Sequence, residues 1–182
     1  MAAASLTRPL TGKEASEFGV ERPWGLTPAN AFGGITMRYT SDRRLLIRQD
    51  IRVAMRQKAS ARRTARLGVR HKRLFDDRFP FLPEVTMAGS WVGYLCMSRN
   101  GAPMFGQVAP NAWIAACQNA IGVTKGTIGG ILAADLACGV DNPLIADMES
   151  LGTPDPLPPR PLVGVGARAK LRWETWKNRH EA

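Results

Sequence analysis

Two short runs rich in apolar residues, Ile35–Thr40 and Arg44–Arg48, flank the polar segment Ser41-Asp42-Arg43. β-branched and aromatic residues on either side of an Asp-containing turn predict a pair of strands. Gln57–Phe75 contains no proline and is rich in Ala, Arg and Lys, so it is expected to be helical. Phe79-Pro80-Phe81-Leu82-Pro83 ends that helix, because Pro80 disfavours helical geometry in the residue before it. Val85–Ser98 is largely apolar and reads as a long strand. Asn100-Gly101 is a hairpin signal, and Ala102–Gln107 would continue the sheet. Ala112–Cys117 reads as a short buried strand, and Gly122–Cys138 as a small-residue helix with glycines in its first turns. Ser5–Thr40 is punctuated by Pro9, Gly12, Gly19, Pro23, Pro28 and Gly33-Gly34, which predicts irregular structure with short strands. Beyond Gly139, Pro143, Pro154, Pro156, Pro158, Pro159 and Pro161 predict an extended tail, followed by a short amphipathic helix at Ala167–Asn178.

Composition adds a size and a class. A chain of 182 residues, 45% hydrophobic and with a mean hydropathy of −0.17, can hold one domain with a core, or a small domain and an appendage. No apolar run approaches the roughly 18–20 residues that span a bilayer. Met1–Leu6 is apolar but too short for a signal sequence and has no basic segment before it. Cys96, Cys117 and Cys138 lack metal-like spacing and cannot all pair, so reduced, mostly buried thiols and a cytoplasmic location are expected. The net charge of +10 is local. Arg38–Arg78 carries 12 Arg and 2 Lys against 4 Asp, and the remaining 11 basic and 11 acidic residues cancel. Arg62, Arg66, Arg70 and Arg73 share one helix face. A solvated face, an interface to an acidic partner and a nucleic-acid patch are the readings available. The last lacks interleaved aromatic residues and any reader motif.

Conventional catalytic patterns are absent. His71 lies in the basic helix and His180 near the chain end, so neither is expected to be a base or metal ligand; no metal site is expected. Asp76-Asp77 reads as surface charge. The informative element is the strand–turn–helix unit Ala112–Cys138. A strand running into Asn119-Ala120-Ile121-Gly122 and a helix starting at Val123-Thr124-Lys125 would present free backbone N–H groups and a helix dipole. Such a place attracts an anion or a polarised carbonyl. Gly126, Gly129 and Gly130 would let a flat ligand approach the helix, or would serve only tight helix–sheet packing.

Several blocks share an order with one known family. Met37-Arg38-Tyr39-Thr40-Ser41-Asp42-Arg43-Arg44-Leu45-Leu46 resembles an Arg-x-Thr-x-Asp-x-Arg-Leu-Leu hairpin, and Phe79-Pro80 with Trp91-Val92-Gly93 resembles a helix end followed by a Trp-x-Gly strand. Asn100-Gly101-Ala102-Pro103-Met104-Phe105-Gly106 is similar to an Asp-Gly-x-Pro-x-x-Gly turn. Gly122-Val123-Thr124, with Gly129 and Leu132-Ala133-Ala134-Asp135, resembles a final flavin-contacting helix. Together they resemble the D-amino-acid oxidase-like superfamily of flavoproteins, and within it the γ-glutamylputrescine oxidoreductase-like group.

The resemblance implies an α+β fold, in which an antiparallel or mixed sheet of a substrate domain carries the basic helix. A C-terminal strand–helix then completes a flavin-binding α/β domain. It assigns residues 5–106 to a partial substrate domain, 107–140 to the strand–helix of the FAD domain, and 141–182 to a Pro-rich tail with a short helix. The implied cofactor is FAD, contacted by Asn119, Ala120, Ile121, Gly122, Val123, Thr124 and Lys125, with Arg38 and Trp91 facing an amine or amino-acid substrate. The implied reaction is hydride transfer to flavin from the carbon beside the amine. No catalytic residue is assigned. Members of the family begin with a Gly-x-Gly-x-x-Gly unit, which this sequence lacks. A truncation, a split gene or a degraded copy is therefore expected, with an N-terminal FAD-binding half or subunit as partner. Relatives place Ser-Gly-His-Gly where this chain has Asn119-Ala120-Ile121-Gly122, so the imidazole is replaced by an apolar side chain. A noncatalytic remnant or interaction domain without cofactor is the alternative, ahead of a basic nucleic-acid-associated protein.

Overall fold

The computed structural model describes residues 1–28, 33–55 and 57–177, and its chain divides into two compact units. The first comprises Met1–Tyr94 with Arg160–Ala182, and the second Leu95–Pro159.

In the first unit, chain order runs β1 (Ala2–Thr7), α1 (Gly12–Phe18), β2 (Trp24–Leu26), β3 (Thr36–Tyr39), β4 (Leu45–Gln49), α2 (Ala61–Arg78) and β5 (Met87–Gly93). The strands form one sheet in the order β2-β3-β4-β1-β5, antiparallel at every pairing. The expected β3–β4 hairpin is present, with Arg43 at φ 59° in its turn and Arg44 N donating to Thr40 Oγ1 at 3.1 Å. Alternation does the work here: Met37, Tyr39, Leu45 and Ile47 point to one side and are buried with Leu10, Phe75, Leu82 and Val85. Phe18 meets the Tyr39 ring at 5.0 Å and the Phe79 ring at 5.6 Å between centroids, closing the core beneath α1.

Several expectations require correction. Ala2–Thr7, dismissed as an apolar terminus and the start of an irregular stretch, is a strand flanked by β4 and β5. Its small residues give little strand propensity, and pairing on both edges overrides that. Gly12–Phe18 is a helix because Thr11 and Glu14 form a reciprocal capping box, and Gly19 closes it at φ 68°. The Arg8 guanidinium holds the Glu14 carboxyl down to about 2, helped by hydrogen bonds from Thr11. The basic helix runs Ala61–Arg78 rather than Gln57–Phe75: Ser60 caps its start, and the break at Phe79-Pro80 falls as expected. Val85–Ser98 contains a shorter strand, Met87–Gly93.

A buried polar seam joins α2 to the sheet. Ser5 Oγ lies 2.7 Å from His71 Nδ1 and 2.8 Å from Ser90 Oγ, and Ser5 and His71 are both fully buried. Helix and strand approach so closely that a Cβ on Gly68 would stand 2.5 Å from Ser90 Oγ. Burial holds the His71 imidazole below its ordinary pKa. Asp50 opposes this, Arg70 adds to it, and the nearby Gln49 backbone opposes it without giving Nε2 a hydrogen bond in good geometry.

The second unit holds β6 (Met104–Ala109), β7 (Ala112–Ala116), α3 (Gly122–Cys138) and α4 (Leu144–Ser150). β6 and β7 form a separate two-stranded sheet, turning at Pro110-Asn111 with Asn111 at φ 59°. Asn100-Gly101, expected to join two strands of one sheet, is instead a bend outside both sheets. β7 was expected to be buried, but all five residues are half-buried because only one further element, α3, packs substantially on it. Within the tail expected to be extended, Leu144–Ser150 is helical, and α5 (Arg160–Lys177) begins before the expected Ala167. Pro161 is tolerated in its first turn, where no intrahelical donor is needed. Asn178 and His180 lie outside the described residues. The cysteines are free, but Cys96 and Cys138 are exposed and Cys117 half-buried, which corrects the expected burial.

Candidate functional site

The strongest local geometry lies where β7 passes into α3. Cys117, Asn119 and Ala120 have φ of 55°, 50° and 69°, three left-handed non-glycine residues within four positions. Such a run persists only when its surroundings hold it. Asn119 is the clamp: its Oδ1 accepts from Ser98 N at 2.8 Å, and its Nδ2 lies within bonding distance of the carbonyls of Gly101 (3.0 Å), Ala102 (3.2 Å) and Cys117 (2.9 Å). The side chain of Asn119, predicted to contact the cofactor, is thus committed to the protein and holds the backbone of the turn.

The turn delivers an uncapped helix. Ile121 stands at the N-cap and cannot accept a hydrogen bond through its side chain. Ile121 N donates to Gln118 O and Lys125 N to Ile121 O, whereas the amides of Gly122, Val123 and Thr124 find no acceptor among the described residues. Ala120 through Thr124 are exposed, Val123 at 85%, and Lys125 is half-buried. Three free donors and the positive end of a 17-residue helix, with no acidic residue in the first turn, suit an electron-rich or anionic group. The chemistry of these donors fits the carbonyl-bearing edge of a flavin ring.

The glycines of α3 resolve differently. Gly129 is buried, and a Cβ there would meet Ala115 at 3.4 Å and Met148 at 3.8 Å, so it serves helix packing. Gly126 faces Gln118, whereas Gly122 and Gly130 open onto free space. Nearby, the Cys117 thiol is pushed up to about 11, first by burial and then by its contact with Cys96, which makes it a poor nucleophile at neutral pH.

The predicted substrate residues Arg38 and Trp91 belong to the other unit, and its register places them on one face of the sheet. Arg38 pairs with Leu46, Leu46 with Leu6, and Leu6 with Gly89; the adjacent row runs Thr36, Arg48, Ala4 and Trp91. Both rows lie on the sheet face opposite Ser5 and α2. Three strand spacings separate β3 from β5, roughly 14 Å. Arg38 and Trp91 (44%) are exposed, and between their strands lie Leu46 and Leu6 in one row and Arg48 and Ala4 in the other. Arg48, not singled out from sequence, sits between them and donates to Thr36 Oγ1 at 2.8 Å. Its position depends on pairing with β1, the strand that sequence patterning missed. Among the described residues no cluster of His, Cys, Asp or Glu could hold a metal, and no helix is long and apolar enough to cross a membrane.

A family model described as FAD dependent oxidoreductase matches residues 3–136, most of the sequence. The chain belongs to this family. Similar solved structures include glycine oxidase from Geobacillus kaustophilus, at 19% identity and a TM-score of 0.55, covering 78% of this chain and 35% of that one. L-Proline dehydrogenase from P. horikoshii is similar at 14% identity and a TM-score of 0.48, over 78% of this chain and 36% of that one. The chain thus spans about a third of the length of these two proteins. No curated protein matches its sequence significantly.

Proposed function

We propose that this chain supplies the substrate sheet and one flavin-contacting helix of an FAD-dependent oxidoreductase acting on the C–N bond of an amine or amino acid. A second half or subunit, carrying the dinucleotide-binding unit, would complete it. The observation that carries this reading is the uncapped start of α3, with three free amides, inside a stretch that matches the family. FAD, held at one edge by the amides of Gly122, Val123 and Thr124, would supply the two-electron oxidation of the C–N bond.

This chain's own residues would bind and orient. Gly122, Val123 and Thr124 would donate backbone hydrogen bonds to the electron-rich edge of the ring, and the α3 dipole favours added negative charge there. In the sheet unit, Arg38 would anchor a substrate carboxylate and Trp91 would offer an aromatic wall, with Arg48 as a second cation on the same face. Residues 5–106 would be the substrate domain and 107–140 part of the flavin domain. Within the family we assign the chain to the γ-glutamylputrescine oxidoreductase-like group on its ordered motifs, with Ile121 as a departure that alters the flavin edge. Three free thiols support a reducing, cytoplasmic setting.

The test is cofactor retention. Purified chain, alone and mixed with an N-terminal partner bearing Gly-x-Gly-x-x-Gly, is expected to retain a chromophore with flavin absorbance only in the mixture. Loss of FAD from both samples would leave the noncatalytic alternative. A Gly122→Pro variant removes one free amide and is expected to weaken retention in the mixture.

A further inference from the structure

The arginine-rich segment builds a cavity that the proposed oxidoreductase reading does not use. It measures about 380 Å³ and lies entirely within the first unit, at the start of α2. Arg52, Arg62, Arg63, Arg66 and Arg70 line it, with Asp50 as its one carboxylate. That carboxylate is already committed: Arg52 Nε and NH2 reach its two oxygens at 2.6 and 2.7 Å, and Arg70 stands 3.6 Å away. Arg62, Arg63 and Arg66 have no carboxylate partner among the described residues.

The helix itself makes the imbalance sharper. Its first turn holds no acidic residue, so Arg62 and Arg63 sit at the positive end of an 18-residue helix, where the dipole disfavours them. Ser60 Oγ and the Ser60 carbonyl satisfy the Arg63 amide, and that carbonyl also takes the Thr64 amide. The amides of Ala61 and Arg62 have no acceptor among the described residues. A concave surface lined by five guanidiniums, three of them without a carboxylate partner, and by one spent carboxylate is complementary to a multivalent anion. Arg62, Arg66 and Arg70 recur every fourth residue over roughly 12 Å of helix, a spread too wide for one phosphoryl group to engage.

We propose that this cavity is a binding site for a diphosphate group, separate from the start of α3. Each phosphoryl group would take forked guanidinium hydrogen bonds, drawn first from Arg62, Arg63 and Arg66, the lining arginines without a carboxylate partner. A second, more open cavity shares Ser60 and Arg63 with the first and adds Lys58 and the half-exposed ring of Tyr94. Tyr94 is therefore placed to stack a base if the diphosphate belongs to a nucleotide.

Calorimetric titration of the full chain at fixed ionic strength tests this with inorganic pyrophosphate, orthophosphate and ADP. Saturable one-to-one binding of pyrophosphate, at least tenfold tighter than orthophosphate, is expected. The variant Arg62→Gln/Arg66→Gln should lose at least tenfold in pyrophosphate affinity with an unchanged circular dichroism melt. Arg73→Gln, exposed on the same helix but outside the cavity, should bind as the parent does. Tighter binding of ADP, reversed by Tyr94→Ala, identifies a nucleotide source, and equal affinities identify the free diphosphate. The proposal is overturned if pyrophosphate binds no tighter than orthophosphate, or if Arg73→Gln weakens binding as much as the cavity variant. It is overturned equally if affinity for a single-stranded oligonucleotide rises with length and exceeds that for pyrophosphate.

Discussion

Single side chains carry the sharpest consequences. His71 is fully buried and its pKa is depressed below the ordinary 6.5, so protonation is favoured in the unfolded chain over the folded one. The neutral ring's contribution is intact above that value and is lost as pH falls through it. Urea melts of the parent should therefore show stability falling between pH 7.5 and 5.5, and His71→Gln should flatten that dependence. Gly68 is a packing glycine. Gly68→Ala should cost about 1–3 kcal/mol by overpacking against Ser90, and Ser90→Gly in the same chain should recover part of it in thermal melts. Ile121 leaves the α3 start uncapped, so Ile121→Ser is expected to stabilise the isolated chain by about 0.5–1 kcal/mol. The same change should weaken any ligand that uses the free amides, since a hydroxyl would then occupy one of them. Sequence could identify Ile121 as the apolar residue before this helix. It could not show that Asn119 is a clamp, because its partners at Ser98, Gly101 and Ala102 lie 17–21 residues away.

At the scale of elements, legibility followed how local the determining forces are. The β3–β4 hairpin and α3 were readable because alternation, a turn and an uninterrupted small-residue run are properties of adjacent residues. α1 was equally local, and its Thr11–Glu14 capping box was the overlooked signal. β1 was not legible in the same way: Ala-Ala-Ala-Ser-Leu-Thr has weak propensity and becomes a strand through its pairings with β4 and β5. The turn into α3 depends on Asn119. Asn119→Ala should cost about 1–3 kcal/mol, since it strips hydrogen bonds from several partners and leaves a left-handed position to alanine. Asn119→Gly relieves the backbone but not the lost bonds, so a denaturation series should place it between alanine and the parent.

Across the molecule, the two units differ in how much they bury. The contiguous core of Leu10, Ile35, Met37, Tyr39, Leu45, Ile47, Phe75, Leu82 and Val85 belongs to the first unit. The second offers Ala102, Leu132 and Met148 as its buried apolar residues among those described, around a two-stranded sheet. A hairpin of that size is marginal alone. Hydrogen exchange is therefore expected to protect β1 and β4 well above β6 and β7, and the proposed flavin-binding half should raise protection selectively in β6, β7 and α3. Equal protection of the two sheets in the isolated chain would contradict this account. The amino-acid order alone determined the hairpin, the extent of α3, the confinement of charge to Arg38–Arg78 and the motif series that matches the family, because each is written in neighbouring residues. Folding decided that Ala2–Thr7 lies inside a sheet, that Arg38 and Trp91 share its open face, and that five arginines surround one cavity. Those facts depend on strand register and on helix placement, which are set by contacts between residues far apart in the chain.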